Sequence, residues 1–340
     1  MTSGPAWATR FGAAMVASYV SLLVVEVRLW RKQPKSVLKL MERGLYVVDE
    51  EGVRLRPGAR VHFDDGYARG DVSVSSLGYR GHEPCGDADN RVLILGDSFA
   101  FGSLLDQPET IDACMERLRP GREVINLGVT GYNLPEPLEP LRRWTLGARH
   151  VVYLFGNTDL DGTVEQLVVD GYRVRRLRHP DGSPFTDEEM GPAATRRIAE
   201  IKQSRQLSWR SLRLPRVRTA LRRSGRTAVD VPTDAFVDPR QRAEAVARGI
   251  GATEEMRALA ERRGMTFRVA IVPTLAEVTA RSYCPAVADY VAALKGRGEP
   301  PLELIDCLSA DLYWGHEGHF NPAGARVVAR AIDAALSTRP

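Results

Sequence analysis

Residues 92–95 read Val-Leu-Ile-Leu, and the run stops abruptly at Gly96-Asp97-Ser98. A strand that is apolar on both faces must be covered on both faces, which points to a parallel sheet between two layers of helix rather than a surface hairpin. Similar strand candidates follow at Glu123 to Leu127, His150 to Phe155, Thr266 to Val272 and Leu302 to Cys307. Helical periodicity fills the intervals around Thr110 to Leu118, Pro135 to Leu146, Arg242 to Arg263 and Ala323 to Leu336. This alternation predicts an α/β three-layer sandwich with a mostly parallel central sheet. In such sheets ligands bind outside the carboxyl ends of the strands. Ser98, Gly131 and Asn157 each fall just past the end of a successive strand candidate.

A serine hydroxyl is a weak nucleophile at neutral pH and needs a base to take its proton. The candidate lies more than two hundred residues later, in Glu317-Gly318-His319-Phe320-Asn321-Pro322. Asn321 reads as a helix N-cap with Pro322 at the first helical position, so His319 sits on a short, anchored loop. Ser98 as nucleophile, His319 as general base and Glu317 as the acid that orients the imidazole form the expected catalytic set. Asp311, Asp306 or a backbone carbonyl are the alternatives for the third role. The sequence contains no G-x-S-x-G elbow, no P-loop and no H-E-x-x-H. His62, His82, His150 and His179 lack ligand spacing and read as structural. Neither a cofactor nor a metal is called for.

These blocks resemble those of the SGNH (GDSL-type) hydrolases, a family of esterases, lipases and carbohydrate O-acetyl esterases or acyltransferases. The likeness runs from about Leu77 to Leu336. Gly96-Asp97-Ser98-Phe99 resembles the nucleophile block, which implies that the Ser98 backbone amide is also an oxyanion donor. Asn126-Leu127-Gly128-Val129-Thr130-Gly131 resembles the second block, implying Gly131 as the second donor. Phe155-Gly156-Asn157-Thr158-Asp159 resembles the third, with Asn157 the better match for the side-chain donor and Thr158 the alternative, because one extra residue separates Asn from Asp. The last block matches His319, but Glu317 stands two residues before it where the family usually has Asp, and His316 stands three before. Ser76-Leu77-Gly78-Tyr79-Arg80-Gly81 resembles a segment that often precedes the serine block in bacterial members. The resemblance implies a flavodoxin-like SGNH hydrolase fold and hydrolysis of a short, acetyl-type O-acyl ester of a carbohydrate or small metabolite through an acyl-serine. An O-acyltransferase using the same intermediate, or a catalytically silent binding protein of this fold, are the other readings.

The chain has 340 residues, 44% apolar, enough for one large core with a smaller appendage. Its formal charge of +4 is unevenly placed. Residues 196–226 hold eleven basic side chains against Glu200, a local charge of +10, which leaves −6 for the rest. The basic stretch reads as a solvated helical face or as a contact for anionic headgroups or an acidic polymer. Nucleic acid is a poor partner, because Trp209 alone is available there for stacking. Cys85, Cys114, Cys284 and Cys307 have no C-x-x-C spacing and read as buried free thiols, with a Cys284–Cys307 bridge conceivable for an exported domain.

Three regions are expected: residues 1–40 as an N-terminal helix and candidate membrane anchor, 41–90 as a small β-rich lead-in, and 91–340 as the main domain with an insertion at 163–239. The uncharged stretch Phe11 to Val25 covers about 22 Å as a helix, short of a roughly 30 Å hydrocarbon layer. Trp7 and Trp30 at its ends, with snorkelling from Arg10, Glu26 and Arg28, would extend it to a marginal span. The expectation is a membrane-associated protein. Basic residues after the helix favour a cytoplasmic body. The family resemblance favours an external or periplasmic one. Within the insertion, Gln166 to Asp181 reads as a hairpin, followed by a basic helical stretch that suits a lid over the site.

Overall fold

The computed structural model describes residues 6–31, 44–49, 52–64, 68–85, 88–161, 166–169, 172–175, 185–204, 238–315 and 318–337, together with Leu214 and Val217. Two antiparallel hairpins come first: β1 (Tyr46–Asp49) with β2 (Gly52–Leu55), and β3 (Arg60–Asp64) with β4 (Arg69–Ser73). The central sheet follows with β5 (Arg91–Gly96), β6 (Glu123–Asn126) and β7 (His150–Phe155). The expected hairpin of the insertion is β8 (Gln166–Val169) paired with β9 (Tyr172–Arg175). The sheet is completed by β10 (Thr266–Ile271) and β11 (Leu302–Glu303).

All five sheet strands are parallel, in the order β11-β10-β7-β5-β6. Counted along the chain, that is the 2-1-3-4-5 order of a flavodoxin-like, doubly wound α/β sheet, and its topological switch point lies between β5 and β7. The burial of β5 is complete from Arg91 to Gly96, as its unbroken apolar run requires. One face of the sheet packs Leu93, Leu95, Val151 and Tyr153 against the helices Pro239–Arg262 and Pro285–Gly296. There Phe155 stacks on Tyr290 with ring centroids 3.8 Å apart. The opposite face packs Val92, Ile94, Val152 and Leu154 against the helices Ile111–Leu118 and Pro322–Ser337. A smaller cluster joins the first hairpins to Phe101, Leu104, Val129 and Tyr132 of the main sheet's loops.

Several boundaries differ from expectation for local reasons. The strand expected to run to Cys307 stops at Glu303, because its register meets the end of β10 there: Leu304 N–H makes the last contact, with Ile271 O at 3.3 Å, and Cys307 N–H turns back to Leu304 O. The helix expected over Pro135 to Leu146 is confined to Leu138–Arg143, between two prolines on one side and the extended Trp144 on the other. The helices Leu275–Ala280 and Pro285–Gly296 lie in sequence where no helix was expected. All four cysteines are free thiols, which corrects the conceivable Cys284–Cys307 bridge; Cys85 and Cys307 are exposed rather than buried. A helix does form at Ala6–Arg31, but among the described residues no helix is long and apolar enough to cross a membrane. Most of the basic stretch 196–226 lies outside the described residues.

Candidate active site

At the end of β5 the chain must turn at once from strand to helix. Gly96 makes this possible with φ of 143°, and a Cβ there would stand 2.7 Å from Leu154 O on the neighbouring strand. The Asp97 carboxylate caps the four-residue helix Ser98–Phe101 by accepting the Phe99 N–H at 2.8 Å. Gly102, left-handed at φ 83°, ends it. The Ser98 carbonyl takes both Gly102 N–H and Ser103 N–H at 3.0 Å. Gly128, in the loop after β6, permits the closest approach to this turn: its Cβ would lie 2.4 Å from Phe101 N. The nucleophile turn is thus built from backbone contacts that leave no room for side chains.

His319 arrives from the other end of the sequence and from the far edge strand. Its Nε2 stands 2.7 Å from Ser98 Oγ, a distance at which the hydroxyl donates to a neutral imidazole. Asn321 anchors the loop as expected from sequence: its Oδ1 accepts the N–H groups of Ala323 and Gly324 at 2.9 and 3.1 Å, and its Nδ2 donates to Asp311 O at 2.6 Å. Trp314 N–H donates to His319 O and Gly318 N–H to Trp314 O, each at 2.7 Å. The Phe99 ring lies against both the imidazole and Phe320, with centroids 4.9 Å from each. The residue after the nucleophile therefore also positions the base.

The loop after β6 runs beside the end of β5, with Leu127 N–H on Ile94 O at 2.8 Å and Val129 N–H on Gly96 O at 3.1 Å. It carries Gly131 at φ 74°. Beyond β7, Asn157 opens a 3-10 turn, Asn157–Asp161, that the buried Asp159 carboxylate fixes by accepting Gly156 N–H at 2.5 Å. The Thr158 hydroxyl faces Asp97 Oδ2 at 3.4 Å, so Thr158 braces the nucleophile turn while Asn157 heads its own. Ser98, Gly131, Asn157 and His319 all follow carboxyl ends of parallel strands, and Ser98 and Asn157 flank the switch point.

Burial pushes the Asp97 carboxyl above its ordinary value, against the opposing pull of the Phe99 N–H, the nearby His319 and Thr158. Glu317 and His316 lie outside the described residues. Of the alternative acids, Asp306 is exposed and Asp311 accepts the Ser309 hydroxyl at 2.5 Å within its own turn. The other histidines have local partners: His62 with Asp71 at 2.9 Å, His82 with Glu116 at 2.8 Å and His150 with Thr266 at 2.7 Å. His179 lies outside the described residues. Ligand-type atoms of His82, Cys85 and Glu123 come within 4.8 Å of one another. They gather at the start of β6, the end of the sheet opposite Ser98, where Glu123 is paired with the buried Arg91 at 2.5 Å.

Sequence reasoning missed Phe99 and Arg80. The first was visible only as the residue after a serine. The second is a buried arginine that donates to the carbonyls at the end of the nucleophile helix.

No family model and no curated protein matches this sequence. Several solved structures are similar over most of their length, three of which follow. One is assigned to the G-D-S-L lipolytic family, from Desulfitobacterium hafniense (12% identity, 72% of this chain and 99% of that chain, TM-score 0.41). Another is the aryl esterase of M. smegmatis (13%, 73% and 98%, TM-score 0.38). The third is a carbohydrate acetylesterase from Sinorhizobium meliloti (12%, 73% and 99%, TM-score 0.36).

Proposed function

We propose that this protein is a serine esterase of SGNH type that hydrolyses an oxygen ester through an acyl-serine intermediate. The observation that carries the reading is the 2.7 Å contact between Ser98 Oγ and His319 Nε2 at the switch point of a parallel sheet. In the first half-reaction His319 takes the Ser98 proton as Oγ attacks the ester carbonyl, and the same proton passes to the departing alcohol. In the second, His319 takes a proton from the water that attacks the acyl-serine and returns it to Ser98 Oγ as the acyl–oxygen bond breaks and the acid leaves. The backbone amides of Ser98 and Gly131 and the Asn157 side chain are the proposed oxyanion donors, each worth about 2.7–4 kcal/mol in comparable sites. Glu317 is the proposed acid partner of His319. Neither step draws on a cofactor.

The proposed substrate is a short, acetyl-type ester of a carbohydrate or small metabolite, by the resemblance of the four blocks. An active-site-directed organophosphonate tests the class. Label is expected on Ser98 of the wild-type protein and not on Ser98→Ala; a folded wild-type protein that never gains label would leave a silent binding module. Product analysis with a hydroxylated acceptor then separates water from a sugar hydroxyl as the second nucleophile. For the acid, Glu317→Gln is expected to lower the acylation rate strongly, Glu317→Asp to lie between it and wild type, and Asp311→Asn to do little. Loss of turnover in Asp311→Asn with Glu317→Gln unaffected would reassign the acid.

We further propose that the protein is held at a membrane surface by its first helix. Residues Ala14 to Leu22 are exposed throughout, including Met15, Val16 and Val20, a coat that water does not favour. Removal of residues 1–31 is expected to move an active protein from the membrane fraction to the soluble one; equal solubility of both forms without detergent would refute it. A reporter fused after Pro340 tests the proposed external or periplasmic location of the body.

A further inference from the structure

Arg80 is 2% exposed, yet the esterase reaction proposed above gives it no chemical role. Burying a guanidinium is costly unless its donors are satisfied, so the partners of this one show what it is kept for. Nη1 donates to Phe101 O at 2.8 Å and to Gly102 O at 2.7 Å, and Nη2 donates to Leu105 O at 2.6 Å. Nε faces Gln107 Oε1 at 3.3 Å, and the guanidinium carbon lies 4.6 Å from the centre of the Phe101 ring. The chain leaves the nucleophile helix through two left-handed residues, Gly102 at φ 83° and Leu104 at φ 62°. That path ends the helix after one turn: Gly102 O keeps a backbone donor in Leu105 N–H at 3.1 Å, while the carbonyls of Ala100 and Phe101 lose the N–H groups that a longer helix would supply.

Two side chains take their place. Asn126 Nδ2 donates to Ala100 O at 2.8 Å, and Arg80 covers Phe101 and Gly102. Both are placed by one backbone contact, an antiparallel bridge between Arg80 and Asn126 along the open edge of β6. The buried Asp112 completes the unit: it accepts Asn126 Nδ2 at 2.8 Å and its charge supports that of Arg80. Burial lowers the Arg80 basicity to about 10, which keeps it a cation across the physiological range. At Gly102 a Cβ would come within 3.3 Å of Nη1, so the glycine and the arginine fit each other.

We propose that Arg80 is a positioning residue for the acyl-transfer step: its fork fixes the end of the one-turn helix whose beginning presents the Ser98 hydroxyl and amide. This rests on Ser98 being the nucleophile. The helix has a single turn between its two ends, so a shift at Phe101 is transmitted to Ser98 almost undiminished. A planar fork holds three carbonyls from two separate nitrogens at fixed angles, whereas the three donors of an ammonium radiate from a single, freely rotating point. On this reading the Ser76–Gly81 segment serves to deliver Arg80 to the back of the nucleophile.

The test compares Arg80→Lys and Arg80→Ala with wild type for kcat, KM, thermal midpoint and the rate of phosphonate labelling at Ser98. A misplacement of about 1 Å costs about 10²-fold in rate. The expected result is a loss of that order in kcat and in labelling rate, with KM changed less than about threefold. Added guanidinium or methylguanidinium is expected to restore part of the rate of Arg80→Ala and to leave wild type unchanged, a response that lost packing alone does not give. Should Arg80→Ala fail to fold, Arg80→Lys carries the test, since it keeps charge and stem. A folded Arg80→Lys with kcat within threefold of wild type overturns the proposal, as does a loss confined to KM. Absence of label on wild-type Ser98 is the separate signature that the esterase reading itself has failed.

Discussion

The two halves of the candidate dyad are held in opposite ways. Ser98, half-buried like His319, heads a turn packed against the core, where Gly96, Gly128, Asn126 and Arg80 meet the backbone. His319 stands on a half-buried loop between a 3-10 turn and the last helix, held by a bridge from Tyr313 to Phe320, the Asn321 cap and the Phe99 ring. A Cβ at Gly318 would meet nothing within 4 Å, and the close backbone approach on this side lies beyond the loop, at Gly324 of the last helix, where a Cβ would stand 2.2 Å from Leu312 O. The nucleophile is thus placed by the core and the base by a local clasp. Errors in the first region are expected to cost fold and activity together, and errors in the second to cost mainly alignment.

The largest effect joins the two regions. Ser98→Ala and His319→Ala are each expected to lower kcat by about four orders of magnitude or more, and the double variant to be no worse than either alone, because the two groups act as one unit. Steady-state and single-turnover rates check this, and additive losses would show that the 2.7 Å contact is not the working one. Next comes the contrast between glycines. Gly128→Ala drives a methyl to within 2.4 Å of Phe101 N and 2.7 Å of Ala100 C, both backbone atoms, and is expected to destabilise by about 3 kcal/mol or more with collapse of activity. Gly318→Ala meets open space but must hold φ near 89°, so its cost is about 1–2 kcal/mol and falls on the loop. Chemical denaturation of both variants measures the difference; equal costs would remove the distinction between core and clasp.

The same contrast decides what was legible in the sequence. The β5 run, the order of the sheet strands, Ser98 and His319 could be read because each is marked locally, by an apolar run, a turn or a cap, whereas the helices Leu275–Ala280 and Pro285–Gly296 were not. His150–Phe155 was read to the residue, being buried and bounded by turns. The edge strand Leu302–Glu303 was overread, since its apolar text continues after its pairing partner ends. Arg80 escaped because nothing in a Gly-rich, polar lead-in says that one arginine turns inward. Its role depends on carbonyls some twenty residues away whose orientation exists only in the fold. Phe99 escaped for the same reason, as its partner His319 lies at the other end of the domain.

A smaller effect is expected at the clasp. Asn321→Ala removes the acceptor for Ala323 and Gly324 N–H and the donor to Asp311 O, which is worth about 1 kcal/mol of stability. Asn321→Asp keeps the cap and loses only the Nδ2 contact. Activity is therefore expected to fall modestly in the first and to be largely retained in the second, with KM unchanged in both. A loss in Asn321→Asp as large as in Asn321→Ala would move the weight of the clasp from the helix cap to the Asp311 carbonyl.

The smallest effect tests the buried acid beside the nucleophile. Burial raises the Asp97 carboxyl above its ordinary value, so the folded protein holds that proton more tightly than the unfolded chain does. The stability this contributes is complete below the unfolded value of about 4 and is lost as pH rises through the folded value. Asp97→Asn keeps an oxygen to accept the Phe99 N–H but carries no charge to bury. Its thermal midpoint is therefore expected to gain on wild type as pH is raised from about 4 to about 8, by about 2 °C, with little difference at the acid end. The opposite slope would mean that the attraction of His319 and the Phe99 N–H outweighs desolvation. In that case the charged Asp97 would belong with the base rather than with the core, and the division between the two regions would run through the nucleophile turn itself.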